Sequence, residues 1–280
     1  MRAYLSVDLE GINGIVHSSQ TQPGEPGYER AVGLMHDECN AVIEGLIDGG
    51  VEEILVNDAH WDARNLRIEK LHPKATLISG WQKPYSMMSG VQAENKPGFA
   101  IFLGYHCRSG TAGGVLSHTY RAQVFRDVLL NGRIVGETAL NAALAGWFGV
   151  PVAMVTGDSM LREEVQSDLP GVMFIVVKDA ISRYAAHMRP QENVLAALKY
   201  GSSQAARSPG GWRILKPPTP STMRIAMVDT SMADGAELVP GVRRVSDREI
   251  EFTDNDFSSL FRTMLAVGAV GASRRDPYFS

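Results

Sequence analysis

Two cysteines, Cys39 and Cys107, in a chain of 280 residues are too few for a disulfide framework. Long apolar runs are missing as well. No segment approaches the ~20 apolar residues that a membrane span needs. The start of the chain, Met1-Arg2 and a short strand-like run, has no stretch apolar enough for a signal peptide. A cytoplasmic protein without membrane contact is the expectation. Neither sign of charge dominates: 31 acidic and 27 basic residues give a net charge of −4. No basic stripe stands out, which argues against nucleic acid as a partner. Internal repeats and low-complexity tracts are also absent.

What is present describes a folded protein. Hydrophobic residues make up 44% and charged residues 21%, a balance that excludes global disorder. The length allows one large domain or two unequal ones. Short apolar runs alternate with helical patterns: Ala3 to Val7, a helix from Tyr28 to Asp48, Val51 to Val56, Ala75 to Ser79 and Phe99 to Leu103. Val124 to Leu130 and Arg133 to Val135 flank Asn131-Gly132, the signature of a two-residue hairpin turn. A helix from Glu137 to Phe148 ends at Gly149, and Val152 to Thr156 and Val172 to Val177 supply two more strands. The expected fold is α/β, a mainly parallel sheet flanked by helices. Ser202 to Pro220 reads as a linker or long loop, so residues 1–215 form the α/β portion and 216–280 a smaller C-terminal α+β portion.

Five residues with metal-binding side chains lie just past the ends of these runs. Asp8 and Glu10 follow the first strand, His60 follows Ile54 to Val56, His106 follows Phe99 to Leu103, and Glu137 opens a helix. Open α/β sheets place ligands outside the carboxyl ends of their strands, where loops converge. If the first strand persisted, alternation would send the Asp8 and Glu10 carboxylates to one side. Neighbouring carboxylates disfavour joint ionisation unless something cationic neutralises them, either a divalent metal or a nearby Lys or Arg. Imidazole and carboxylate together suit zinc, although manganese or cobalt could occupy such a set. Glu137 alone could simply favour the helix N-terminus. His118, in a loop rich in Gly, Ser and Thr, is suited to proton transfer because its ordinary pKa lies near neutrality. Cys107 borders this group and is expected to be a small structural thiol. His36 and Asn40 are expected on a solvated helix face. His17, His72 and His187 are assigned to structure or surface, His187 late in a helix. Asp58, beside His60, is a candidate to orient a ligating histidine.

Several motifs together resemble the D-aminopeptidase family of dinuclear zinc peptidases, peptidase family M55. They are Ser6-Val7-Asp8-Leu9-Glu10-Gly11, Asn57-Asp58-Ala59-His60, Gly104-Tyr105-His106, Leu116-Ser117-His118, Val135-Gly136-Glu137 and Ile181-Ser182-Arg183. The resemblance runs to about residue 185 with similar spacing and more loosely beyond. It implies that Asp8 bridges two zinc ions per subunit, Glu10 and His60 completing one set of ligands and His106 and Glu137 the other, with His118 as the catalytic histidine. It also implies a metal-activated water, removal of N-terminal D-residues from short peptides, and a homo-oligomer, a decamer of two pentameric rings around an enclosed interior. The alternatives are a metal-dependent phosphoesterase and a metal- or small-molecule-binding module without catalysis. Against the phosphoesterase, the acids after the first strand are Asp-x-Glu and not the Asp-x-Asp of an aspartyl nucleophile, and no phosphate-cradling glycine loop of the G-x-x-x-x-G-K type occurs.

Overall fold

The computed structural model describes residues 1–274. The chain begins with β1 (Arg2–Val7), α1 (Tyr28–Asp48), β2 (Glu53–Asp58), β3 (Ala75–Ile78) and β4 (Phe99–Leu103). A hairpin of β5 (Phe125–Leu130) and β6 (Arg133–Ile134) follows, then α2 (Glu137–Trp147), β7 (Val152–Asp158), α3 (Ser159–Asp168), β8 (Met173–Ser182) and β9 (Ala185–Met188). The last elements are α4 (Gln191–Arg207), β10 (Ser221–Met227), α5 (Thr230–Ala236), β11 (Arg243–Arg244), β12 (Glu249–Asp254) and α6 (Phe257–Ala272).

The main sheet runs β3-β2-β1-β4-β7-β8-β9, and every neighbouring pair is parallel except the last. This is the expected α/β architecture. The chain leaves β1 toward β2 on one side, and β4 returns on the other. The switch of direction opens a crevice at the carboxyl ends of these three strands. The central strands are apolar on both faces because both faces are covered. Tyr4, Phe102 and Val155 belong to one core with α2, α3, α6 and the apolar side of the second sheet. Leu5, Ile101 and Met154 belong to the other, under α1 and α4.

The second sheet is antiparallel, in the order β11-β12-β10-β5-β6. Asn131 and Gly132 both take positive φ, 51° and 80°, as the expected hairpin turn requires. That hairpin does not join the main sheet. It pairs with β10, so the second sheet draws strands from both sides of residue 215.

Three sequence expectations need correction. Ser202 to Arg207 are not linker but the last turns of α4. Their small side chains let α4 press against α1: the buried Ser202 hydroxyl donates to Val42 O at 3.0 Å. His187 lies in β9, not in a helix. His36 is buried rather than solvated. One ring nitrogen is 2.7 Å from Val32 O, and Nε2 accepts from Arg67 N at 2.9 Å, so the ring ties α1 to the loop between β2 and β3. Asn40 does similar work, donating to Lys70 O and accepting from His72 N.

Gly45 marks the α1–α4 contact, where an added Cβ would sit 2.0 Å from Lys199 O. Gly45→Ala should therefore destabilise the protein by about 1–3 kcal/mol through overpacking, even after a gain of roughly 0.5–1 kcal/mol in helix propensity. A lowered urea midpoint with unchanged slope checks this; a raised midpoint would show that the helices part without cost.

Candidate metal centre

β1 ends one residue before the site. Asp8 N–H still donates to Leu103 O at 2.8 Å, and Gly11 N–H donates to Gly104 O at 2.8 Å, so the ends of β1 and β4 stay joined past the last paired residues. The approach is close: a Cβ on Gly104, which has φ +72°, would lie 2.3 Å from Asp8 O. Only glycine fits there. The alternation expected to align Asp8 and Glu10 is thus replaced by a turn, but the turn delivers both carboxylates to the same place.

That place gathers all six residues singled out from the sequence. Asp8 lies between two groups. Its Oδ1 is 3.2 Å from His60 Nδ1 and its Oδ2 is 3.5 Å from His106 Nε2. Glu10 Oε2 lies 2.9 Å from His60 Nδ1, and Glu137 Oε1 lies 3.4 Å from His106 Nε2. His118 Nε2 is 3.8 Å from Glu137 Oε1, and its ring stacks on His106 with centroids 4.1 Å apart. Asp8, Glu10, His60, His106 and Glu137 are all buried; His118, with 20% of its side chain exposed, opens the cluster to solvent.

Each imidazole has one nitrogen tied to a backbone carbonyl. His60 Nε2 meets Thr21 O at 2.7 Å, His106 Nδ1 meets Cys107 O at 2.9 Å, and His118 Nδ1 meets Leu116 O at 2.9 Å. A carbonyl only accepts, so each tied nitrogen carries the proton and the other is free to face the cluster. This is how proteins fix the tautomer of a ligating histidine. Tyr120 N–H similarly holds Glu137 Oε1 at 2.6 Å.

The electrostatics are those of a site short of positive charge. Burial, and then Glu10, push Asp8 up to about 7. Burial pulls His106 down, but Glu137, Asp8 and Glu10 outweigh it and lift the ring to about 10. His60 likewise rises well above its ordinary value against burial, with Glu10 and Asp8 beside it. Burial also opposes ionisation of Glu10 and Glu137, yet the adjacent imidazoles hold both below the usual carboxylate range. His118 moves the other way: burial and the neighbouring His106 keep it neutral. Two buried atoms, Glu10 Oε2 and His106 Nε2, accept or donate no aligned hydrogen bond. Such orphans need an explanation. Oxygen and nitrogen donors converging on them fit a divalent cation.

The family model for D-aminopeptidases, peptidase family M55, matches residues 1–266. The chain belongs to the D-aminopeptidase family. A curated D-aminopeptidase of Bacillus subtilis (strain 168) is 36% identical over 268 residues, 95% of this chain and 96% of that protein. A solved structure, described as the zinc-dependent D-aminopeptidase DppA from Bacillus subtilis, a self-compartmentalizing protease, matches with a TM-score of 0.93 at 35% identity. It covers 97% of this chain and 98% of its own.

Within this family member the remaining candidates take structural places. Cys107 is buried, 3.8 Å from Asp158, and burial pushes its thiol far up, as expected of an inert cysteine. Asp58 does not touch the His60 ring. It accepts from Asn65 N, Leu66 N and Asn65 Nδ2, and Asn65 Nδ2 also donates to His60 O, so Asp58 sets the loop that carries His60. Lys178 escaped sequence reading. Fully buried, it donates to Glu10 O, Ile12 O and Ile15 O at 2.6, 2.9 and 2.7 Å, clamping the turn that presents Glu10. Its only signal was a lone lysine directly after an apolar run.

A divalent cation such as Zn²⁺ should stabilise the metal-stripped protein by about 2.7 kcal/mol at a hundredfold excess over Kd, read as a raised Tm. Asp8→Asn should abolish most of the rise. Protons on Asp8 (about 7) and His106 (about 10) must leave for a cation to bind. Apparent affinity should therefore climb as pH rises from about 7 toward 10, with proton release at neutral pH. Calorimetry in buffers of different ionisation enthalpy measures that release; none at pH 7 would contradict the protonation described.

Proposed function

We propose that this protein is a zinc-dependent aminopeptidase that removes N-terminal residues, D-alanine among them, from short peptides. The observation that carries this reading is the arrangement of Asp8 between two ligand groups, with a neutral His118 stacked at the open side, in a member of the D-aminopeptidase family. The zinc dependence of the Bacillus subtilis relative supports the metal. In this reading Asp8 would be shared by two zinc ions of a subunit, with Glu10 and His60 completing one set of ligands and His106 and Glu137 the other. Bound zinc supplies Lewis acidity, which lowers the pKa of water and polarises a carbonyl.

The protein's own residues do the rest. Nδ1–H of His118 is committed to Leu116 O, so the unprotonated Nε2 can take the proton of the attacking water and return it to the leaving amine. Burial disfavours the charged ring and so keeps that nitrogen available. Family membership favours a peptide over a phosphate ester as the substrate class. The self-compartmentalizing description of the relative supports a homo-oligomer, and we infer a decamer of two pentameric rings in the cytoplasm. Residues 1–215 carry every candidate ligand and 216–280 the smaller portion.

Purified protein should hold two zinc equivalents per subunit and release amino acid from D-Ala-D-Ala faster than from L-Ala-L-Ala, with chelator abolishing both. Protein that stays metal-free and inactive on both after zinc addition would sink the reading. His118→Ala should keep its zinc and lose on the order of 10²–10⁴-fold in turnover; undiminished turnover would remove His118 from the chemistry.

A further inference from the structure

Arg183 sits in the two-residue turn between β8 and β9, outside the ligand cluster and largely exposed. Its Nη1 donates to Ser117 O at 2.5 Å and to Ser117 Oγ at 2.8 Å. Its own carbonyl accepts from Leu116 N–H at 2.9 Å. Arg183 thus grips two consecutive residues of the His118 loop from both its main chain and its side chain. No ion pair engages this guanidinium among the described residues; its other neighbour is Tyr184, whose hydroxyl lies 3.3 Å from Nε.

The gripped residues decide where His118 points. Leu116 takes φ +49°, a conformation that a branched L side chain adopts only when its surroundings impose it. Its carbonyl is the acceptor for His118 Nδ1. On the other side, His118 N–H donates to Cys107 O at 3.1 Å, the same carbonyl that takes His106 Nδ1. Release of Ser117 and Leu116 would let Leu116 relax to negative φ and turn its carbonyl away. His118 would then lose both its orientation and the partner that fixes its tautomer.

We propose that Arg183 is a positioning residue, which acts through Ser117 and Leu116 to hold the His118 imidazole with Nε2 toward the reacting atoms. This rests on His118 as the proton carrier in the proposed function. Lysine would restore only part of this hold: both bonds to Ser117 leave the single nitrogen Nη1, but an ammonium lacks the rigid guanidinium plane and its Nε contact with Tyr184.

The test uses full-length, zinc-loaded protein carrying Arg183→Gln or Arg183→Lys, each alone and combined with His118→Ala, assayed on D-Ala-D-Ala. Arg183→Gln should lower kcat by about 10–100-fold, the range for residues supporting a site from behind. KM and zinc content should stay near wild type, and Arg183→Lys should recover part of the loss. In the His118→Ala background Arg183→Gln should change kcat less than about twofold, since residues acting through one another are not additive. A readout free of activity is amide hydrogen exchange of the metal-free protein. Exchange at 116–119 should quicken about tenfold or more in Arg183→Gln, while β8 and β9 amides stay as slow as before. An equal loss of kcat with and without His118, loss of zinc, or unchanged exchange at 116–119 would overturn the proposal. If wild-type protein releases no amino acid, the peptidase reading falls, and the exchange experiment alone then judges whether Arg183 holds the loop.

Discussion

Three carboxylates brought out of water to one point are what the rest of this structure answers to. Asp8, Glu10 and Glu137 are each almost wholly buried and arrive from two separate segments, the turn after β1 and the start of α2. Like charges at such range cannot all ionise in a poorly solvated pocket without cations. Two imidazoles drawn toward protonation and a half-neutral Asp8 are the protein's partial remedy. Bound cationic metal is the complete one. The burial that makes the cluster unfavourable alone is also what makes it a strong cation site, since a low dielectric amplifies attraction as well as repulsion.

The scaffold meets that constraint with main-chain atoms more than with side chains. Thr21 O, Cys107 O and Leu116 O each fix one imidazole, and Tyr120 N–H fixes Glu137. Lys178 secures three further carbonyls beneath Glu10. Loops ordinarily vary their conformation freely; here the loops are the ligand-holding frame, and the sheet supplies the point at which they meet.

Much of this was legible in the sequence, for identifiable reasons. Asp8, Glu10, His60 and His106 announced themselves because each lies within four residues of the end of an apolar run, and strand ends are where an open sheet exposes side chains. Asn131-Gly132 was legible because few residues other than Asn and Gly tolerate two successive positive φ angles. The turn after Val7 was not, because it depends on how closely β4 approaches, a tertiary matter. His36 and Ser202 misled for one reason: polar side chains that satisfy themselves on a nearby carbonyl can be buried, and local pattern cannot reveal the partner. Lys178 was invisible because its acceptors lie more than 160 residues earlier in the chain.

The pairing of the β5–β6 hairpin with β10 has a temporal consequence. His118 and Glu137 stand at the two feet of that hairpin, and its sheet partner is made only when Ser221–Met227 has been synthesised. Contacts so distant along the chain carry a large loop-closure cost and slow folding. The candidate ligands that follow β1, β2 and β4 are synthesised well before the other half of the site has its support. Half of the site thus leans on chain made long after it, a dependence written into the order of the strands.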